Sequence, residues 1–303
     1  MTGTPNDDSS FSRRSTATLL WHPQQRLWNR RLVSAIGSAL HRVPRAAAMI
    51  VWLVMLADTL LLFAWVLRRR VRLLGARSLA PLWRRPRAPV LWVDCGVHEH
   101  GDEIRLVRRW LAPRQEVRIV AFEAASRQFA AARESLADVP CLDLRQQALV
   151  GPDHAVATVA LYCSSGGYGD SIFAVGGRGR EDVAAVRLSR VLLSEHAHHD
   201  GPVLLRMNIE GAELAVIEDL VDAGLDQRID GYYGMWDDLS RLDSQLDERL
   251  RRLIAVHAIR PLTFNGRDVG YALRRLAIRI DVATSIRHGA RRGSRRVGDA
   301  QPA

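Results

Sequence analysis

The chain predicts an α/β fold with a mostly parallel central sheet, preceded by a membrane-anchor helix. Two observations carry that reading. From Pro89 onward, apolar runs of strand length alternate with stretches of helical periodicity, the pattern of repeated strand–helix–strand units. Ahead of them, residues 46–67 form a run of 22 residues whose only charge is Asp58.

Taken in order, residues 1–45 read as a basic amphipathic arm. Leu19, Leu20, Leu27, Trp28, Leu32, Val33, Ile36 and Leu40 recur near helical spacing among Arg26, Arg30 and Arg31, as in a helix lying on anionic lipid or packed on its own domain. Residues 46–67 would extend about 33 Å as a helix, the thickness of a bilayer core. Their apolar side chains outweigh the cost of one central Asp on an insertion scale, so a single spanning segment is expected. Five arginines lie within twenty residues before it and eight within twenty after it, which puts the C-terminal side in the cytoplasm. Residues 68–88, with Pro81, Pro86 and arginines, read as a linker.

Residues 89–272 are the α/β domain. Strands are expected over 90–93, 117–122, 156–162, 203–207 and 229–235, and helices over 102–110, 126–136 and 212–220. Residues 273–303 read as a basic, solvated or lipid-facing tail.

All 43 basic residues are arginine, which excludes chemistry that needs a lysine base or Schiff base. The net charge of +10 is unevenly spread. Residues 1–90 carry 15 Arg and 3 acids, 91–273 carry 20 Arg and 28 acids, and 274–303 carry 8 Arg and 2 acids. An acidic middle argues against a nucleic-acid partner. Cys95, Cys141 and Cys163 are odd in number and far apart, with neither metal-ligand spacing nor a disulfide framework. His196, His198 and His199 sit in a polar run without a partner cluster, so no metal site is expected.

Three strings carry chemistry. Val90-Leu-Trp-Val-Asp-Cys-Gly96 is a buried strand ending in Asp94 and Gly96, at the edge of a parallel sheet where ligands sit. Val120-Ala-Phe-Glu123 ends a second strand in a carboxylate able to accept both hydroxyls of a ribose. In Leu204-Leu-Arg-Met-Asn-Ile-Glu-Gly-Ala-Glu213 a strand breaks at Asn208 and a helix follows, bringing Asn208, Glu210 and Glu213 to the same lip.

Together these strings, with Gln147-Ala-Leu-Val-Gly151, resemble the FkbM-type family of S-adenosylmethionine-dependent methyltransferases over residues 90–240. The resemblance implies a seven-stranded Rossmann-like methyltransferase fold and S-adenosylmethionine as cofactor. It implies O-methyl transfer to a hydroxyl of a glycan, glycolipid or natural product. By it, Asp94, Gly96 and His98 shape the loop beside the methionine portion, Glu123 holds the ribose, and Gln146 or Gln147 lies near the adenine. The run Val97-His98-Glu99-His100-Gly101 brings its second glycine one place later than in the family. Asn208 stands where many members have aspartate, and Arg206 where many have lysine.

An acceptor hydroxyl needs a base. Glu210 is the first choice, with Glu213, His98 and the Asp237–Asp238 pair as others. Asn208 can orient a hydroxyl but takes no proton. A membrane-bound binding or scaffold protein that keeps the fold without turnover is the alternative. The glycine-rich runs at 164–171 and 176–180 read as flexible loops, or as a substrate lid or phosphate nest.

Overall fold

A computed structural model describes residues 49, 52–53, 56–57, 60–68, 89–113, 115–163, 170–174, 179–194, 196–234, 236, 239–263 and 272–299. The chain divides into two units, one of residues 1–79 and 265–281, the other of residues 80–264 and 282–303.

The second unit is a mixed α/β fold around a six-stranded sheet, consistent with a Rossmann-like arrangement. In chain order its elements begin with β1 (Val90–Cys95), α1 (Asp102–Leu111), β2 (Val117–Phe122), α2 (Ser126–Ser135) and β3 (Leu142–Arg145). A small second sheet follows, of β4 (Ala148–Leu149), β5 (Thr158–Cys163) and β6 (Gly179–Val186). Then come α3 (Leu188–Ser194), β7 (Val203–Met207), α4 (Glu213–Asp222), β8 (Gly231–Gly234), α5 (Leu239–Leu242), α6 (Ser244–Val256), β9 (Pro261–Thr263) and, from residue 282 on, the part of α7 (Ala272–Asp299) that belongs to this unit.

The main sheet runs β3-β2-β1-β7-β8-β9, every neighbouring pair parallel. The resemblance implies seven strands; among the described residues this sheet has six and no antiparallel member. From β1 the chain steps outward to β3 on one side, then returns to β7 and steps outward to β9 on the other. The order therefore reverses between β1 and β7, and the crevice of an open parallel sheet forms there, beyond the carboxyl ends of the strands.

β1 is buried along its whole length, which is why it reads as a continuous apolar run rather than an alternating one. Trp92 stacks on Tyr233 with ring centroids 5.9 Å apart. α1 buries Ile104, Val107 and Leu111 on one face and carries Asp102 and Glu103 in its first turn and Arg108 and Arg109 in its last, matching the helix dipole.

The expected strands over 117–122 and 203–207 coincide with β2 and β7. Other elements differ. The arginine-glycine run at 176–180, read as a loop, leads into β6, whose Gly179 and Arg180 pair with Cys163 and Tyr162 of β5. Its polar face conceals it, because only Val183 is fully buried. α6 begins at a cap the sequence reading passed over, with Asp243 accepting from the N–H groups of Gln245 (2.7 Å) and Leu246 (3.2 Å).

The stretch at 273–303, read as a solvated tail, contains most of α7. Within the second unit Val282 and Ile286 of that helix are buried. The Tyr233 hydroxyl donates to Ser285 Oγ at 2.9 Å. Apolar residues one turn apart hold the helix despite the surrounding arginines.

In the first unit, the described residues between 49 and 68 are helical. The rest of the expected span at 46–67, the arm at 1–45 and residues 69–88 of the linker lie outside the described residues. Among the described residues no helix is long and apolar enough to cross a membrane.

Candidate functional site

A crevice opens at the β1/β7 reversal point. It is lined by Gly96 and His98 after β1, Phe122 to Ala124 at the end of β2, Gln147 to Leu149, and Asn208 to Glu210 after β7. Gln128 from α2, Leu161 from β5, Asp170 to Ile172 and Ala212 complete the described wall.

Gly96 has φ 87°, and a Cβ there would collide with the carbonyl oxygen of Asn208. The glycine is thus required by the neighbouring strand end as well as by any ligand. Asn208 closes the contact by donating its N–H to the Cys95 carbonyl at 2.8 Å. His98, with φ 61°, turns its backbone N–H onto Glu123 Oε2 at 2.8 Å. Glu123 Oε1 also accepts from the Ala125 N–H at 3.1 Å. Burial pushes the Glu123 carboxyl above its ordinary range, and these N–H groups oppose the shift.

Three residues named as candidates, Asp94, Glu213 and Gln146, lie outside its wall. Asp94 is fully buried and its Oδ1 accepts from Arg206 Nη1 at 2.6 Å, while its Oδ2 accepts from Trp92 Nε1 at 3.1 Å. The same Arg206 nitrogen donates to the Gly96 carbonyl at 2.9 Å, and Nη2 lies 3.5 Å from Glu103. Burial raises the Asp94 pKa, with the Arg206 guanidinium acting against it. Asp94 therefore supports the Gly96 turn through Arg206.

Glu213 is buried at the start of α4 and folds back on its own loop, accepting from Ile209 N at 3.2 Å and Gly211 N at 2.9 Å. It satisfies helix-entry N–H groups that would otherwise be orphaned. Gln146 is also turned away, donating to Ser126 Oγ at 2.8 Å. Gly101 starts α1 against Leu136. Asp237 and Asp238 lie outside the described residues.

Glu210 lines the crevice with φ 49°, followed by Gly211 at φ 103°. A Cβ on Gly211 would run into Leu242 and the Phe173 ring. The Glu210 carbonyl accepts from Ser171 Oγ at 2.7 Å, and Ser171 Oγ also accepts from the Phe173 N–H at 3.1 Å. Beside it Asp170 Oδ2 accepts from Gln128 Nε2 at 3.0 Å. Residues 170–173 thus join the turn after β7 to the helix after β2. The sequence reading missed Gln128, Asp170 and Ser171; the only signal was the Gly-Tyr-Gly-Asp-Ser run, of which residues 164–169 lie outside the described residues.

The charge of the wall is one-sided. Among the described residues, Glu123, Asp170 and Glu210 line the crevice with His98, and no arginine does. Gln147 Oε1 is buried in this wall without a hydrogen-bond partner among the described residues, an acceptor position that a donor on a ligand would satisfy.

Comparison of the chain with protein-family models, with curated proteins and with solved structures found no match.

Away from the crevice, Arg228 Nη2 donates to the carbonyls of His196 at 2.6 Å and His199 at 3.2 Å. The histidine loop is thus tied to Arg228 through its backbone while His198 stays exposed, and burial lowers the His199 pKa. Among the described residues no group of His, Cys, Asp and Glu is placed to hold a metal ion.

Proposed function

We propose that the second unit is an S-adenosylmethionine-dependent O-methyltransferase with the Rossmann-like methyltransferase fold. The observation that carries this reading is that three carboxylates line the described crevice wall at the carboxyl ends of parallel strands, with no arginine among its described residues. A nucleoside triphosphate brings clustered negative charge, which suffers beside carboxylates. A cofactor with a positive sulfur, an ammonium group and a ribose diol suits the wall as it stands.

Glu123 takes the ribose hydroxyls, and Gln147 Oε1 accepts from the adenine amino group. Gly96 and His98 shape the loop beside the methionine portion, over the Asp94–Arg206 support. When bound, the cofactor supplies an activated methyl group. Asn208 orients the acceptor hydroxyl, and a carboxylate oxygen of Glu210 receives its proton. An alcohol of a glycan, glycolipid or other envelope precursor is the acceptor class, because the arginine-rich and apolar N-terminal sequence directs the chain to a lipid surface, with this unit on the cytoplasmic side.

Calorimetry with S-adenosylmethionine, S-adenosylhomocysteine and NAD tests the cofactor. The first two should bind and NAD should not. A preference for NAD, or no binding of either sulfur compound, overturns the reading. Tritium transfer from labelled cofactor into a membrane extract tests turnover: Glu123→Ala should lose cofactor affinity, and Glu210→Ala should keep affinity and lose transfer. Cofactor binding without transfer would favour the scaffold alternative, which the non-basic amide of Asn208 also suits.

A further inference from the structure

We propose that the exposed apolar side formed by the described helical residues between 49 and 67 is a lipid-contacting surface, seated among the acyl chains of an anionic bilayer. The described side chains of this segment separate into two sides. Leu62 and Val66, one turn apart, are 1% exposed. Met49, Trp52, Leu53, Leu60, Leu61 and Leu67 are 41% to 59% exposed. With exposed Ala57 and Ala64 they follow spacings of three and four residues, which is one side of a helix.

A helix at the surface of a water-soluble domain turns polar residues outward. Here the inner stripe and the outer side are both apolar, and no exposed described position from 49 to 67 is polar. An outward apolar side of this kind marks a binding surface.

Charge selects the occupant. The segment ends in exposed Arg68; the sequence continues with Arg69, Arg70 and Arg72, and Arg42 and Arg45 precede it. A second copy of this side laid parallel would bring Arg68 against Arg68, and the sequence flanks the segment with like charge on both sides. Anionic headgroups above an acyl layer instead meet both the charges and the apolar side chains.

Flotation of the full chain with phosphatidylcholine vesicles, with and without phosphatidylglycerol, tests this. The native chain should float with both, more completely with the anionic lipid, and stay bound at about 0.5 M salt, where surface charges are screened within a few ångströms. The pair Leu53→Glu and Leu60→Glu should lower the partition coefficient by at least about a hundredfold while the circular dichroism spectrum stays unchanged. The milder pair Leu60→Ser and Leu61→Ser gives a second reading if the first variant fails to fold. Equal flotation of native and substituted chains overturns the proposal, as does complete release by salt. A vesicle-indifferent dimer, seen by light scattering and broken by the same substitutions, would assign the surface to a second copy instead.

Discussion

Glu210 holds a backbone conformation that costs a side-chain-bearing residue about 1–3 kcal/mol, and the hydroxyl of Ser171 sits on its carbonyl. The strain and the clasp occur at the residue assigned to receive a proton. Glu210→Gly should therefore raise stability toward urea, by up to about 1 kcal/mol, and abolish methyl transfer. Ser171→Ala should cost about 1 kcal/mol of stability and reduce transfer more than affinity for S-adenosylhomocysteine. If both variants transfer methyl groups at the native rate, Glu210 is not the base. Glu123 sets a pH dependence. Its pKa is raised by burial, and a cationic cofactor prefers its ionised form. Affinity for S-adenosylmethionine should thus decline as pH falls through that raised pKa, earlier on the way down than for an ordinary glutamate. The decline should vanish in Glu123→Gln, as calorimetry at a series of pH values would reveal.

At the scale of elements, Arg206 on β7 ties β1 to α1 by meeting the buried Asp94 and the half-buried Glu103. Removing one partner of a buried ion pair leaves the other charge unpaired, so Arg206→Met should cost about 3–5 kcal/mol at neutral pH. Without the guanidinium the Asp94 carboxyl rises further, and lowering the pH neutralises it. Part of the loss should therefore be recovered in mildly acidic urea titrations, and an equal loss at both pH values would contradict the coupling. The turn before α4 depends on Glu213 in a simpler way. Glu213→Ala leaves two loop N–H groups unpaired, at about 1–3 kcal/mol each, which thermal unfolding would detect.

These elements were unequally legible in the sequence. β1, β2 and β7 are central and covered on both faces, so their apolar runs announce them. β6 has a polar face and begins in a glycine-arginine run, and the short β3 and β4 lack enough residues to establish a period. The site divides in the same way. Gly96, His98, Glu123, Gln147, Asn208 and Glu210 follow strand ends, where position along the chain predicts position in space, and all line the crevice. Gln128, Asp170 and Ser171 arrive from a helix and an inserted hairpin, and no local pattern reports that convergence. Asp94 and Glu213 stand in the right strings, yet their side chains turn inward to an arginine and to backbone N–H groups.

Across the whole molecule, charge is sorted by role. Acidic side chains line the crevice, while the arginine excess belongs to the two ends of the sequence. The preference for the sulfonium cofactor over its neutral thioether product should therefore weaken at high ionic strength, measured as the ratio of their dissociation constants. A ratio indifferent to salt would mean that the carboxylates do not sense the sulfur's charge. The central position of β1 has a consequence on another axis. Its backbone is bonded to β2 on one side and β7 on the other, so no fraying edge gives solvent access to those amides. Deuterium should reach residues 91–94 only when the entire unit opens, making their exchange rate a direct gauge of its global unfolding free energy.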